Sequence, residues 1–201
     1  MTAQHDVIPA HLQGDFPTRG NAFSRWVGRV GMRLLGGWQI HGELPRTRQA
    51  IIPVAPHTSN WDFFVGVFVM LALGLKLSFL GKHTIFRFPV NRLLRWLGGI
   101  PVDRRSAQGV VGEMVQQFKQ HPELVLALSP EGTRKKVDEW KKGFLHIAKT
   151  TGVPVIPIAL DFRRKVLEIT PALIITGDID SELERVKLAV AHAEGKNPQH
   201  A

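Results

Sequence analysis

Apolar positions along this chain follow two periods, one helical and one extended. Phe23, Val27, Val30, Leu34 and Trp38 recur at helical spacing, and Arg25, Arg29 and Arg33 recur every fourth residue on another face. This pattern predicts a basic amphipathic helix, weakened by Gly28 and Gly31. Residues 50–55 form a continuous apolar run that predicts a buried strand, followed by an apolar helix over residues 60–74 and a short strand over 77–80. Residues 84–97 carry a helical pattern interrupted by Pro89, in which Arg87, Arg92 and Arg95 alternate with Phe86, Phe88, Leu93, Leu94 and Trp96. A strand is expected over 100–102, then a helix over 106–120 whose Val110, Val111, Met114, Val115 and Phe118 share one stripe. Residues 124–128 read as a strand and 143–150 as a helix ended by Gly152. Two strands, 153–160 and 166–170, and a helix over 181–194 complete the pattern.

Strands that alternate with helices point to an α/β fold with a mostly parallel central sheet flanked by helices, preceded by an amphipathic helical segment. With 201 residues, one main domain is expected. The division is a flexible tail over 1–21, the amphipathic helix over 22–40, the main domain over 41–195 and a polar tail over 196–201. The first 20 residues lack an apolar core flanked by basic residues, so no cleaved secretory signal is expected. The longest apolar run, residues 63–75, falls short of the roughly 20 residues that span a bilayer, so no transmembrane helix is expected.

Charge narrows the partners. Lys and Arg number 26 against 17 Asp and Glu, a formal charge of +9 that favours an anionic partner such as nucleic acid, a phosphorylated substrate or an acidic membrane surface. The basic residues alternate with apolar ones and no nucleic-acid module is recognisable, which sets nucleic acid aside. There is no cysteine, which excludes disulfides, thiolate metal sites and a Cys nucleophile. No G-x-S-x-G elbow is present, which argues against a serine hydrolase.

Chemistry concentrates just after three predicted strands. In HTSNWD (57–62), Ser59 is placed to cap the following helix and Asp62 lies three residues later, the spacing of a capping box. Capping leaves His57 unexplained. The same geometry lets Asp62 accept a hydrogen bond from one ring nitrogen of His57, which would leave the other nitrogen free to act as a general base near neutral pH. The segment GGIPVDRR (98–105) places Arg104 beyond a short strand, where a guanidinium can hold a phosphate through two bonds or simply occupy a surface turn. The segment LSPEGTRKK (128–136) leaves its strand through Pro130 and Gly132 and displays Glu131, Thr133 and Arg134, as a solvated turn or as a binding loop. Together the three segments describe a cleft for a hydroxyl-bearing phosphate ester.

These segments resemble the glycerolipid acyltransferase family typified by bacterial lysophosphatidic acid acyltransferase. The family's H-x-x-x-x-D block is matched by His57 and Asp62, its Gly-Ile-rich block ending in Arg by GGIPVDR, its P-E-G-T-R block by residues 130–134, and its V-P-x-x-P block by residues 153–157. The resemblance implies that His57 is the general base on the acceptor hydroxyl and Asp62 its orienting partner, with no covalent acyl-enzyme. It implies that Arg104, Glu131, Gly132, Thr133 and Arg134 bind the acceptor's phosphate and that Lys82 contacts phosphate or oxyanion. It further implies acyl-CoA or acyl carrier protein as donor, lysophosphatidic acid or a related lysophospholipid as acceptor, and no metal or organic cofactor. Residues 41–195 would be the acyltransferase domain, with residues 22–40 docking it on anionic lipid at the cytoplasmic face of the inner membrane. Pro101 and Ser129 stand where many members carry an aromatic residue, which leaves the acceptor open to a different lysophospholipid or another hydroxyl lipid; the rival to the enzyme is a non-catalytic anionic-lipid-binding protein on the same scaffold.

Overall fold

The structure, a computed structural model, describes residue 8 and residues 10–102 and 107–200. Its elements run α1 (Ala22–Leu34), β1 (Gln39–His41), β2 (Gln49–Ala55), α2 (Trp61–Leu73), β3 (Ser78–Lys82), α3 (Asn91–Trp96) and β4 (Gly99–Val102). They continue with α4 (Ala107–Gln120), β5 (Leu124–Leu128), α5 (Gly143–Thr151), β6 (Ile158–Asp161), β7 (Val166–Ile169) and α6 (Ile179–Val190). The seven strands form one sheet in the order β1-β7-β6-β2-β5-β3-β4. Pairing is parallel from β6 through β4; β7 runs antiparallel to β6, and β1 follows β7. The α/β class read from the sequence is the class observed.

The centre of the sheet explains its own sequence. Six of the seven β2 residues are buried, as expected of a strand covered on both faces. Its neighbours Ile51 and Ile52 point to opposite sides. Ile51 joins Leu126, Met114, Phe118, Leu145 and Val186 in the core beneath α4, α5 and α6. Ile52 joins Val125, Val65, Val69, Met32 and Trp38 in the core beneath α1 and α2. That second layer extends through Met70, Leu75 and Leu97 to the end of α3.

Helix α1 is capped by Asn21, whose side chain accepts from the Ser24 N–H at 3.0 Å while Ser24 Oγ accepts from the Asn21 N–H at 2.9 Å. Its two internal glycines cost helix propensity but have a packing purpose. A Cβ on Gly28 would sit 2.2 Å from the Ala72 backbone nitrogen, and one on Gly31 would sit 2.2 Å from Phe68 Cδ1. α1 therefore lies against α2 along its glycine face, which leaves Phe23, Trp26 and Leu34 exposed at 69%, 54% and 82%.

Several expectations are corrected. Residues 10–19 are no free tail: Leu12 is buried, Gln13 and Thr18 form bridges to Thr47 and Leu75, and Thr47 Oγ donates to the Leu12 carbonyl at 3.1 Å. Residues 196–200 are docked as well, through Asn197 and Thr58. The helix expected over 84–97 is split at Pro89, which has no N–H for a helical bond, into a 3₁₀ turn (His83–Ile85) and the short α3. The strand expected over 153–160 becomes regular only at Ile158; before it Val155 makes single bridges to Ile51 and Leu173, because Pro154 and Pro157 cannot donate to a ladder. β1, three residues long, has no sequence pattern of its own and forms because β7 offers it an edge.

The glycine notch makes a testable demand. Gly28→Ala should destabilise the fold by about 1–3 kcal/mol, because the new methyl meets backbone that cannot step aside. Gly112→Ala, on α4 with open space around it, should be neutral or stabilising by up to ~1 kcal/mol. Urea unfolding of both variants checks the contrast.

Candidate active site

β2 and β5 are adjacent and parallel, so the loops after Ala55 and Leu128 emerge side by side at the carboxyl edge of the sheet. β3 and β4 end at the same edge with Lys82 and Val102. Topology alone thus gathers segments that are far apart in sequence, at the edge where open α/β sheets place ligands.

The first loop is organised around Asp62, buried in the first turn of α2. Its Oδ2 accepts from the Thr58 N–H at 2.8 Å and the Ser59 N–H at 2.9 Å, and its Oδ1 accepts from the Ser59 hydroxyl at 2.8 Å. His57 Nδ1 lies 2.9 Å from the same Oδ2. Ser59 Oγ in turn accepts from the Trp61 N–H at 3.1 Å. Half of the expected capping box is thus made: Asp62 accepts from the Ser59 N–H, while Ser59 Oγ takes the Trp61 N–H, and Asn60, at the boundary of an α2 that starts at Trp61, makes no side-chain cap bond. Contact with Asp62 requires a proton on Nδ1, so a neutral His57 ring carries its lone pair on Nε2. The imidazole is partly exposed, at 27% of its side-chain surface, while the Asp62 side chain is at 2%.

Glu131 has a different place from the one the resemblance implies. It is buried, and both carboxylate oxygens accept from the His57 backbone N–H, at 3.0 and 3.1 Å. It bolts the second loop to the first instead of facing a phosphate that it would repel. Burial pushes its pKa up to about 7; the bond from His57 and the His57 charge pull the other way, and Asp62 adds to the rise.

Gly132 adopts a left-handed φ of +68°, and a Cβ there would press on Lys141, 2.8 Å from its Cε. Thr133 is half-buried and Arg134 exposed. Both line an open cleft of about 460 Å³, together with residues 58–61, Lys135, Asn197 and His200. Lys82 is exposed at the end of β3 and is not part of that cleft. Arg104 lies outside the described residues. Asn197 and His200 escaped sequence reasoning because they sit in a short polar stretch with no motif or period.

Comparison with known proteins identifies the family and the fold. A sequence model of the family described as Acyltransferase matches residues 38–161. The chloroplastic 1-acyl-sn-glycerol-3-phosphate acyltransferase BAT2 of Brassica napus is 33% identical over 120 residues, 55% of this chain and 34% of that one. The 1-acyl-sn-glycerol-3-phosphate acyltransferase of Haemophilus influenzae is 27% identical over 151 residues, 71% of this chain and 61% of that one. The chain therefore spans between about a third and three fifths of the length of these two relatives. The crystal structure of the 1-acyl-sn-glycerophosphate acyltransferase PlsC from Thermotoga maritima shares the fold. Its TM-score is 0.58 at 23% identity, over 83% of this chain and 76% of that one.

Glu131 makes stability depend on pH in a stated direction. Its folded pKa of about 7 lies above the ordinary 4.5, so the folded state binds more protons in that window and stability falls as pH rises from about 4.5 to about 7. The loss is about 3 kcal/mol at most. Glu131→Gln keeps an acceptor for the His57 N–H and removes the titration, so urea unfolding at pH 5 and pH 8 should show a flatter profile for the variant than for the parent.

Proposed function

Because the chain belongs to the acyltransferase family, we propose that it transfers a fatty acyl group from acyl-CoA or acyl carrier protein to the hydroxyl of lysophosphatidic acid or a related lysophospholipid. The observation that carries the reading is the 2.9 Å contact between His57 Nδ1 and the buried Asp62 carboxylate, which in the neutral ring puts the lone pair on Nε2. Nε2 takes the proton of the acceptor hydroxyl as its oxygen attacks the thioester carbonyl. The tetrahedral oxyanion collapses, the carbon–sulfur bond breaks, and the imidazolium returns the proton to the leaving thiolate. Asp62 holds the ring in place and stabilises the imidazolium while it exists. Ser59 is no rival nucleophile, because its hydroxyl already donates to Asp62 and accepts from the Trp61 N–H. On the acceptor side, Arg134 and Thr133 border the cleft beside this loop, where a guanidinium and a hydroxyl suit a phosphate. The two basic blocks of the motif set, with Arg104, belong to the same reading.

The acceptor is a lipid, so the enzyme works on a bilayer surface. No helix among the described residues is long and apolar enough to cross a membrane. Large apolar side chains are nevertheless exposed in one layer: three on α1, four on α2 and five between β3 and β4, with Leu188 the exception among the described residues. Phe88 is the most exposed of them at 95%. No acidic residue occurs in residues 16–42 or 63–102, while Arg25, Arg29, Arg33, Arg87, Arg92 and Arg95 do. An apolar surface edged only by cations suits monotopic attachment to anionic lipid at the cytoplasmic face, where soluble acyl donors are found.

Two measurements test this function. Purified protein given palmitoyl-CoA or palmitoyl-acyl carrier protein with a panel of lysophospholipids should form diacyl product, and His57→Ala should lower kcat by about 10²–10⁴; no transfer from any combination by the parent protein would defeat the enzyme reading. Trp26→Asp combined with Phe88→Asp should reduce sedimentation with anionic liposomes, whereas Leu188→Asp should leave it unchanged.

A further inference from the structure

Residues 194–197 return to the loop that carries His57. The segment is anchored where β6 turns into β7, by the Phe162 N–H donating to the Glu194 carbonyl at 2.8 Å. From there it crosses to the neighbouring strand end, that of β2. Gly195 meets Thr58 so closely that a Cβ would lie 2.6 Å from Thr58 Cγ2 and 2.7 Å from its Oγ1. The Lys196 ammonium stands 4.3 Å from the centre of the Trp61 ring. Asn197 then makes two bonds to one residue: its backbone N–H donates to Thr58 Oγ1 at 3.1 Å and its Nδ2 donates to the Thr58 carbonyl at 2.9 Å. Thr58 is 2% exposed, so its carbonyl needs a donor and the amide orientation of Asn197 follows from that need.

These contacts complete a set. The His57 N–H is held by Glu131 from the loop after β5, the Thr58 N–H by Asp62 from α2, and the Thr58 carbonyl by Asn197 from the chain's last turn. Three separate parts of the molecule thus fix three successive peptide groups, the two that flank His57 and the one that follows Thr58. A base that must meet a hydroxyl within hydrogen-bond range gains from such constraint, since displacement of about 1 Å can cost a large factor in rate. We propose that residues 194–197 are a strap over the catalytic loop and that Asn197 is a positioning residue for acyl transfer, acting through Thr58 on His57. The segment lies outside residues 38–161 that match the family, and the inference rests on the acyl-transfer function set out above.

The test compares the parent protein with Asn197→Ala, Asn197→Asp and the control Gln199→Ala, using palmitoyl-CoA and lysophosphatidic acid, together with hydrogen exchange of the peptide covering residues 55–62. Both Asn197 variants should lose about tenfold in kcat with the KM for lysophosphatidic acid within about twofold, and the 55–62 peptide should exchange faster. Gln199→Ala, at an exposed position beside the strap and outside the cleft lining, should retain the parent kcat and exchange. Parent-like kcat and exchange in the Asn197 variants would overturn the proposal, as would a raised KM at unchanged kcat, which would make Asn197 an acceptor contact. Should Asn197→Ala not fold, Asn197→Asp keeps the side-chain volume and the backbone donor and decides alone. If the parent protein transfers no acyl group, the function fails and exchange still judges the strap: faster exchange supports it and unchanged exchange overturns it.

Discussion

A single buried carboxylate organises this molecule's chemistry. Asp62 receives two backbone N–H groups, a serine hydroxyl and an imidazole N–H. An isolated carboxylate at that depth would be costly, and its hydrogen bonds are what make the burial tolerable. The same bonds that satisfy Asp62 start α2, shape the loop after β2 and select the His57 tautomer. Helix capping and orientation of the His57 ring are therefore one arrangement, and neither can be removed without the other.

Around that carboxylate the sheet does the assembling. Adjacent parallel strands release their loops at one edge, which brings Glu131 under the His57 backbone across 74 residues of sequence. Glu131 shows how a conspicuous motif residue can serve the motif itself: its charge is buried and committed to the neighbouring loop, and the cleft is left to Thr133 and Arg134. The two faces of the sheet are divided as well. Helices α4, α5 and α6 cover one core, while α1, α2 and the end of α3 cover the other; among the described residues every exposed large apolar side chain except Leu188 lies on α1, on α2 or between β3 and β4. Under the acyl transfer proposed above, such a division would set the site between a water-soluble donor and a bilayer acceptor.

Much of this architecture is legible in the amino-acid sequence. Continuous apolar runs locate β2 and β5, and period-3.6 patterns locate α2, α4, α5 and α6, within a few residues, because a strand covered on both faces buries every position and a helix buries a stripe. The spacing of His57 and Asp62 announces a cap and a paired ring, since both ends of that interaction lie within one turn of chain. The pattern misleads where proline overrides it, at Pro89, Pro154 and Pro157, and where an element borrows its existence from a partner, as β1 does from β7. The glycines of α1 read as flaws because sequence displays the propensity they lose and hides the helix they admit.

What the sequence determined by itself is the local chemistry: alternating strands and helices, a histidine with its carboxylate, a turn at Gly132 and an excess of cations. Local spacing carries these because their partners are near neighbours in the chain. Tertiary structure alone decided that Glu131 bolts two loops together, that α1 shows its aromatic residues to solvent, and that residues 10–19 and 194–197 are fastened down. Each of those depends on contacts between segments far apart in sequence, whose meeting is settled by strand order and packing and leaves no periodic mark in either partner.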